Sequence, residues 1–201
     1  MQIRLMTPVG TSVLIFDQDP ERRAATRRLL VEQGYGVTDE VQDLGDLPDT
    51  LARSQADTMM IYASKADDAL LATLRALPDE TRRPTILITE DGSSDAMYAA
   101  VAAGINACVV VGVNGNRMRS AIDLAKANFS NTRGLREELD EARNALRERK
   151  LIERAKGIIM RERKIDEDEA YALLRKRAMQ RGVRLIEVAE MVNEAAEVMQ
   201  L

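Results

Sequence analysis

Residues 84–111 read PTILITEDGSSDAMYAAVAAGINACVVV, and this stretch decides the fold. Pro84–Thr89 is a short apolar run. Ser93–Ala103 is an alanine-rich helical pattern that stops at Gly104. Ala107–Val111 is a second apolar run. Short continuous apolar runs suit strands covered on both faces, and two parallel strands need a helix to cross between them. The stretch is therefore one right-handed βαβ unit.

Toward the N-terminus the same alternation repeats. Ser12–Asp17 (SVLIFD) is a strand ending in an acid, and Glu21–Gln33 is a helix closed by Gly34. Gly36–Glu40 is a second strand, Leu44–Ser54 a weaker helix, Thr58–Tyr62 (TMMIY) a third strand and Asp67–Leu77 a third helix. Strands separated by helices predict an α/β domain with a five-stranded parallel sheet. Its expected order is the flavodoxin-like 2-1-3-4-5.

Toward the C-terminus the strands cease, and no proline follows Pro84. Arg117–Phe129 is the fifth helix, with Gly134 read as its break or kink. Leu135, Leu139, Ala142 and Leu146 then recur at spacings of four, three and four, the signature of a short coiled-coil seam. A dimer-forming seam and a single helix packed on its own domain both fit two heptads. Arg149–Arg163 continues from that linker. Asp166, with Glu169 three residues on, caps a helix running to Arg181 and stopping at Gly182. Leu185–Met199 is the last helix, with Ile186, Ala189, Val192 and Ala196 on one face. Three parts are expected: a domain over 1–129, a helical or coiled-coil linker over 130–148, and a three-helix module over 149–201.

Composition narrows the chemistry. Of 201 residues 45% are hydrophobic but only 3% aromatic, with no Trp, so the core must be aliphatic. Histidine is absent, which removes the commonest general base and metal ligand. No catalytic residue, metal or cofactor is expected, and the chain does not read as an enzyme. The one cysteine, Cys108, sits in an apolar run and predicts a buried thiol in a reducing compartment. Met1–Met6 carries no signal peptide and no run is long enough to span a membrane, so a cytoplasmic protein is expected.

The net charge of −4 hides a local reversal. Between Arg143 and Lys164 nine basic residues face only Glu148, Glu153 and Glu162. On a helical wheel Arg143, Arg147, Lys150, Arg154 and Arg161 share one arc that holds no acid from this segment. Ile152, Ala155 and Ile159 lie opposite, and Lys156 lies off the stripe, nearer the apolar side. A second cluster follows at Arg175, Lys176, Arg177, Arg181 and Arg184. A solvated face usually mixes signs; two single-signed clusters favour a polyanion. Charge alone does not separate DNA from RNA.

A sheet of this order places its site at the carboxyl ends of the strands. Asp17 and Asp19 follow strand one, Tyr62 ends strand three and Thr89 ends strand four. This resembles the receiver domains of response regulators, but incompletely. The resemblance implies a second acid where Gln18 stands, an acceptor aspartate where Tyr62 stands, and a lysine near Val111 and Gly112, where there is none. The expectation is a pseudo-receiver, with Asp17, Asp19, Tyr62 and Thr89 as a degenerate pocket. Asp67 and Asp68 are read as helix caps.

The C-terminal segments LIERAKGIIM (151–160), DEAYALLRKRAM (168–179) and LIEVA (185–189) resemble the ANTAR module in order and spacing. With the front domain, the chain resembles the AmiR/NasT family of antiterminators, nearest its nitrate-assimilation branch. That resemblance implies binding to tandem hairpins in a leader mRNA, which prevents a terminator from forming and lets RNA polymerase read on. It also implies a NasS-like nitrate- or nitrite-sensing partner. Lys156 would be a central RNA contact, supported by Arg154, Arg161 and Arg175, with Lys150 and Arg147 on the same stripe. Ala155, Gly157, Met160, Ala170, Leu174, Ala178 and Met179 match the motif and suit packing. Tyr171 is expected in the core rather than stacked on a base. The alternatives are a DNA-binding response regulator, a phosphorylation-controlled receiver and a pure dimerisation module.

Overall fold

The computed structural model describes residues 10–111 and 115–198. Met1–Met6, the expected lysine position at Gly112 and the expected helix end at Met199 lie outside them. The chain divides into two compact units between Arg133 and Gly134.

In the first unit five parallel strands form one sheet: β1 Ser12–Phe16, β2 Gly36–Val41, β3 Thr58–Tyr62, β4 Thr85–Thr89 and β5 Ala107–Val110. Their order is β2-β1-β3-β4-β5, as the alternation predicted. The helices are α1 Pro20–Glu32, α2 Leu47–Arg53, α3 Asp68–Ala76, α4 Ser94–Ala102 and the start of α5, Gly115–Arg163. The weaker helix expected over 44–54 is a single 3-10 turn, Leu44–Asp46, followed by α2.

The two-residue period of a strand assigns each side chain to one of two cores. Leu14, Phe16, Met59, Ile61 and Leu87 point to one face, where Leu47 and Leu51 of α2, Leu70, Leu71 and Leu74 of α3 and Ala100 of α4 cover them. Val13, Ile15, Met60, Ile86 and Ile88 point to the other, beneath Leu30 of α1 and Met118, Ala121, Ile122 and Ala125 of α5. Burying a side chain such as Leu14 or Ile61 stabilises the fold by about 2 kcal/mol. Cys108 is only half-buried, not fully enclosed, because it stands on the edge strand β5.

Asp67 caps α3 by accepting the Leu70 N–H at 2.8 Å, and Ser93 caps α4 in the same way. These caps hold the loops at the carboxyl end of the sheet.

The second unit is a three-helix module made by the end of α5, α6 Glu167–Arg181 and α7 Leu185–Val198. Asp166 caps α6 through the Glu169 N–H at 2.9 Å. Gly182 ends it with φ 66°, a left-handed conformation that glycine adopts without steric cost. Its core is small: Ala155 of α5, Leu174 and Ala178 of α6, and Val188 and Ala189 of α7. The buried Asn193 amide of α7 also donates to the Leu151 carbonyl of α5 at 3.0 Å.

Gly134 does not end a helix. α5 continues through it to Arg163. An interior glycine costs a helix about 1 kcal/mol, and the run Leu135–Leu139 of strong helix formers outweighs that.

Candidate functional site

The acidic pocket is filled from within. Asp17 follows β1 and is fully buried. A buried carboxylate needs a partner, and Arg22 in the first turn of α1 supplies it. The Arg22 Nε donates to Asp17 Oδ2 at 2.9 Å and its Nη2 to Oδ1 at 2.7 Å, a two-pronged pairing. The same guanidinium stacks 3.8 Å from the centre of the Tyr62 ring. Arg23 donates to the Asp17 carbonyl at 2.6 Å.

Asp19 caps α1, accepting the Glu21 and Arg22 N–H groups at 2.9 and 3.1 Å. The Arg22 N–H bond is the main force holding the Asp19 carboxyl below its usual range. Thr89 is buried, donates to the Ser64 carbonyl at 3.0 Å and accepts the Asp91 N–H at 3.2 Å. Asp17, Asp19 and Tyr62 thus gather around Arg22, while Thr89 is committed to neighbouring loops. Position 62 offers an aromatic face and no carboxylate. Arg22 supplies, by a side chain, the positive charge that a pair of acids would otherwise draw from a cation.

In the helical module the basic residues separate into two groups. Arg147, Lys150, Arg161 and Arg175 are exposed and have no carboxylate partner among the described residues. Arg154 is exposed but pairs with Glu197 of α7 at 3.0 Å. Lys156 is turned inward, with 7% of its surface exposed. Its ammonium lies 2.8 Å from Glu153 and 2.6 Å from Glu167 of α6. Those two bonds, Glu153 first, raise its pKa above the ordinary lysine value. Its position off the basic stripe is the sequence signal for this inward turn.

Two packing expectations do not hold. Tyr171 is 43% exposed rather than core, and Met179 is 74% exposed. Ala155, Ala170, Leu174 and Ala178 are buried as their small or apolar character suggested, and Gly157 and Met160 are half-buried. On α5 the seam residues Leu135, Leu139, Ala142 and Leu146 are all exposed. No helix among the described residues is long and apolar enough to cross a membrane.

Residues 140–192 match the ANTAR domain. The chain thus carries an ANTAR domain in its C-terminal part, behind a front domain of receiver-like fold. The Transcriptional regulatory protein PdtaR of Mycobacterium tuberculosis is 25% identical over 186 residues, spanning 92% of this chain and 91% of that protein. The Nitrate regulatory protein of Klebsiella oxytoca is 42% identical over 52 residues, 26% of this chain and 13% of that protein. Among solved structures, a pilus assembly-related protein from Burkholderia pseudomallei superposes with a TM-score of 0.55 at 23% identity, covering 62% of this chain and 95% of the other. The signal receiver domain of a modulated diguanylate cyclase from Desulfovibrio desulfuricans gives a TM-score of 0.51 at 18% identity, covering 59% and 95%. At these identities the two likenesses establish the fold of the front domain alone.

Proposed function

We propose that this chain is an RNA-binding transcription antiterminator that engages paired hairpins in a leader mRNA and keeps a terminator from forming, so that RNA polymerase reads on. The observation that carries the reading is the exposure of Arg147, Lys150, Arg161 and Arg175 in an ANTAR domain, each without a carboxylate partner among the described residues. Unpaired cations on a helix surface bind phosphates by releasing counterions. Arg154 would join them by exchanging Glu197 for a phosphate.

Control falls to a partner protein rather than to phosphorylation, because Arg22 and Tyr62 occupy the place where phosphate chemistry would be done. The likeness to the Nitrate regulatory protein supports a nitrate- or nitrite-sensing partner of the NasS kind and a nitrate-assimilation operon as the target. The working parts of this reading are a pseudo-receiver over 1–129, a linker over 130–148 and an RNA-binding module over 149–201. The exposed leucines of the linker pair two copies of the chain, and the protein acts in the cytoplasm.

The test is competition at equal salt between a two-hairpin RNA and a duplex DNA of the same length. Preference for the RNA supports antitermination. Preference for the DNA would favour a DNA-binding regulator instead. Simultaneous replacement of Arg147, Lys150 and Arg161 by Gln should weaken RNA binding and flatten its salt dependence by about 0.7 per lost contact. Unchanged binding would remove these cations as the RNA-binding surface, and a wild-type chain that binds neither nucleic acid would leave only a dimerisation module.

A further inference from the structure

One row on α6 is left unexplained by packing. Tyr171, Arg175 and Met179 recur every fourth residue along one flank of the helix. Beside that flank Ala170, Leu174 and Ala178 are buried, the last two in the module's core. The module's one aromatic side chain is thus left half outside a core whose buried apolar residues are four alanines with Leu174, Ile186 and Val188. Arg175 is exposed and has no carboxylate partner among the described residues.

The electrostatics of the row suit a polyanion. No acid occurs between Glu169 and Glu187, while Arg175, Lys176, Arg177, Arg181 and Arg184 lie in that interval. Two acids stand at the head of the row. Glu167 is held by the Lys156 ammonium at 2.6 Å. Asp168 sits in the first turn of α6, against the positive end of the helix.

We propose that Tyr171, Arg175 and Met179 form a stacking platform for unpaired RNA bases, a reading that rests on the RNA-binding function above. The Tyr171 ring offers its face to one base, the Met179 thioether about 12 Å further along the helix offers apolar, polarisable surface to a neighbouring one, and Arg175 between them takes the adjoining phosphate. Duplex bases are already stacked on one another; loop bases have a free face, which is why aromatic platforms select single strands. The row therefore reads the loop, and the stripe on α5 grips the backbone.

The probe is a fluorescein-labelled pool of two-hairpin RNAs with randomised loops, titrated with the full chain at low and at physiological salt. A pool whose stems run into continuous duplex is the control. The wild-type chain should prefer the hairpins. Tyr171→Phe should bind within about twofold of wild type, and Tyr171→Leu should lose about tenfold with the same salt slope. Arg175→Gln should lose affinity and lower the slope by about 0.7. Wild-type affinity in Tyr171→Leu overturns the platform, as does a loss in Tyr171→Phe equal to that in Tyr171→Leu. If circular dichroism shows that Tyr171→Leu does not fold, Met179→Gln decides: a several-fold loss supports the platform and no loss overturns it. A wild-type chain that binds duplex and hairpins alike overturns the loop-reading function, and the platform with it.

Discussion

Arg22 carries the strongest single consequence in the front domain. It is the partner of a fully buried carboxylate, so its removal strands a charge. Arg22→Met should lower stability by about 3 kcal/mol in urea unfolding, the usual cost of breaking a buried pair. The double variant Asp17→Asn/Arg22→Met should lose less than the single one, because the stranded charge has gone. A double variant that loses the sum of the two single losses would show that the pair contributes nothing through charge.

A second residue-scale prediction concerns acid. The Ser12 N–H and hydroxyl donate to Asp57 Oδ2 at 2.8 and 2.9 Å, and the N–H bond chiefly lowers its pKa. A lowered native pKa stabilises the fold above the unfolded value and loses that contribution as pH falls through the native one. Wild type should therefore exceed Asp57→Asn in thermal midpoint at neutral pH, with the gap closing below about pH 4. A gap that persists at pH 2 would argue against the carboxylate as its source.

At the scale of the element, α5 is the informative case. Its exposed leucines repeat with the spacing of a two-stranded seam, and they lie on a stretch that also carries many charges. Leu139→Asp with Leu146→Asp should convert a dimer to a monomer in sedimentation equilibrium. A wild-type chain that sediments as a monomer at tens of micromolar would remove the seam from the account. Most element bounds were legible, because periodicity and caps are written locally: β3 lies where TMMIY predicted it, and Asp166 caps α6. The continuation through Gly134 was not legible, since a lone glycine can end a helix or be carried by it, and the packing on either side decides which.

At the scale of the whole molecule, two kinds of surface are combined in one chain. The front domain keeps a receiver's sheet but holds its own cation at the strand ends. Incubation with radiolabelled acetyl phosphate and Mg²⁺ should leave the chain unlabelled. Stoichiometric label on Asp17 or Asp19 would restore phosphorylation as the switch. The helical module instead leaves cations exposed, which is the arrangement a polyanion needs.

The strand order expected from the βαβ alternation and the basic stripe of α5 were determined by the sequence alone. Each rests on patterns written locally, apolar runs alternating with helical segments for the sheet and a 3.6-residue period for the stripe, and such patterns survive without knowledge of neighbours. What fills the pocket was decided by tertiary structure. Asp17, Tyr62 and Thr89 could be placed at the strand ends by topology, but Arg22 is one of several arginines in α1, and only the fold returns it over β1. The fate of Lys156 needed α6 to bring Glu167 to it. Tyr171 lies only about 20° past the buried Ala178 on the helical wheel, so its period fits core and surface equally. The width of the buried stripe is set by the small residues packed against it. That width put Tyr171 outside, because partners from distant segments choose among positions that local periodicity leaves equivalent.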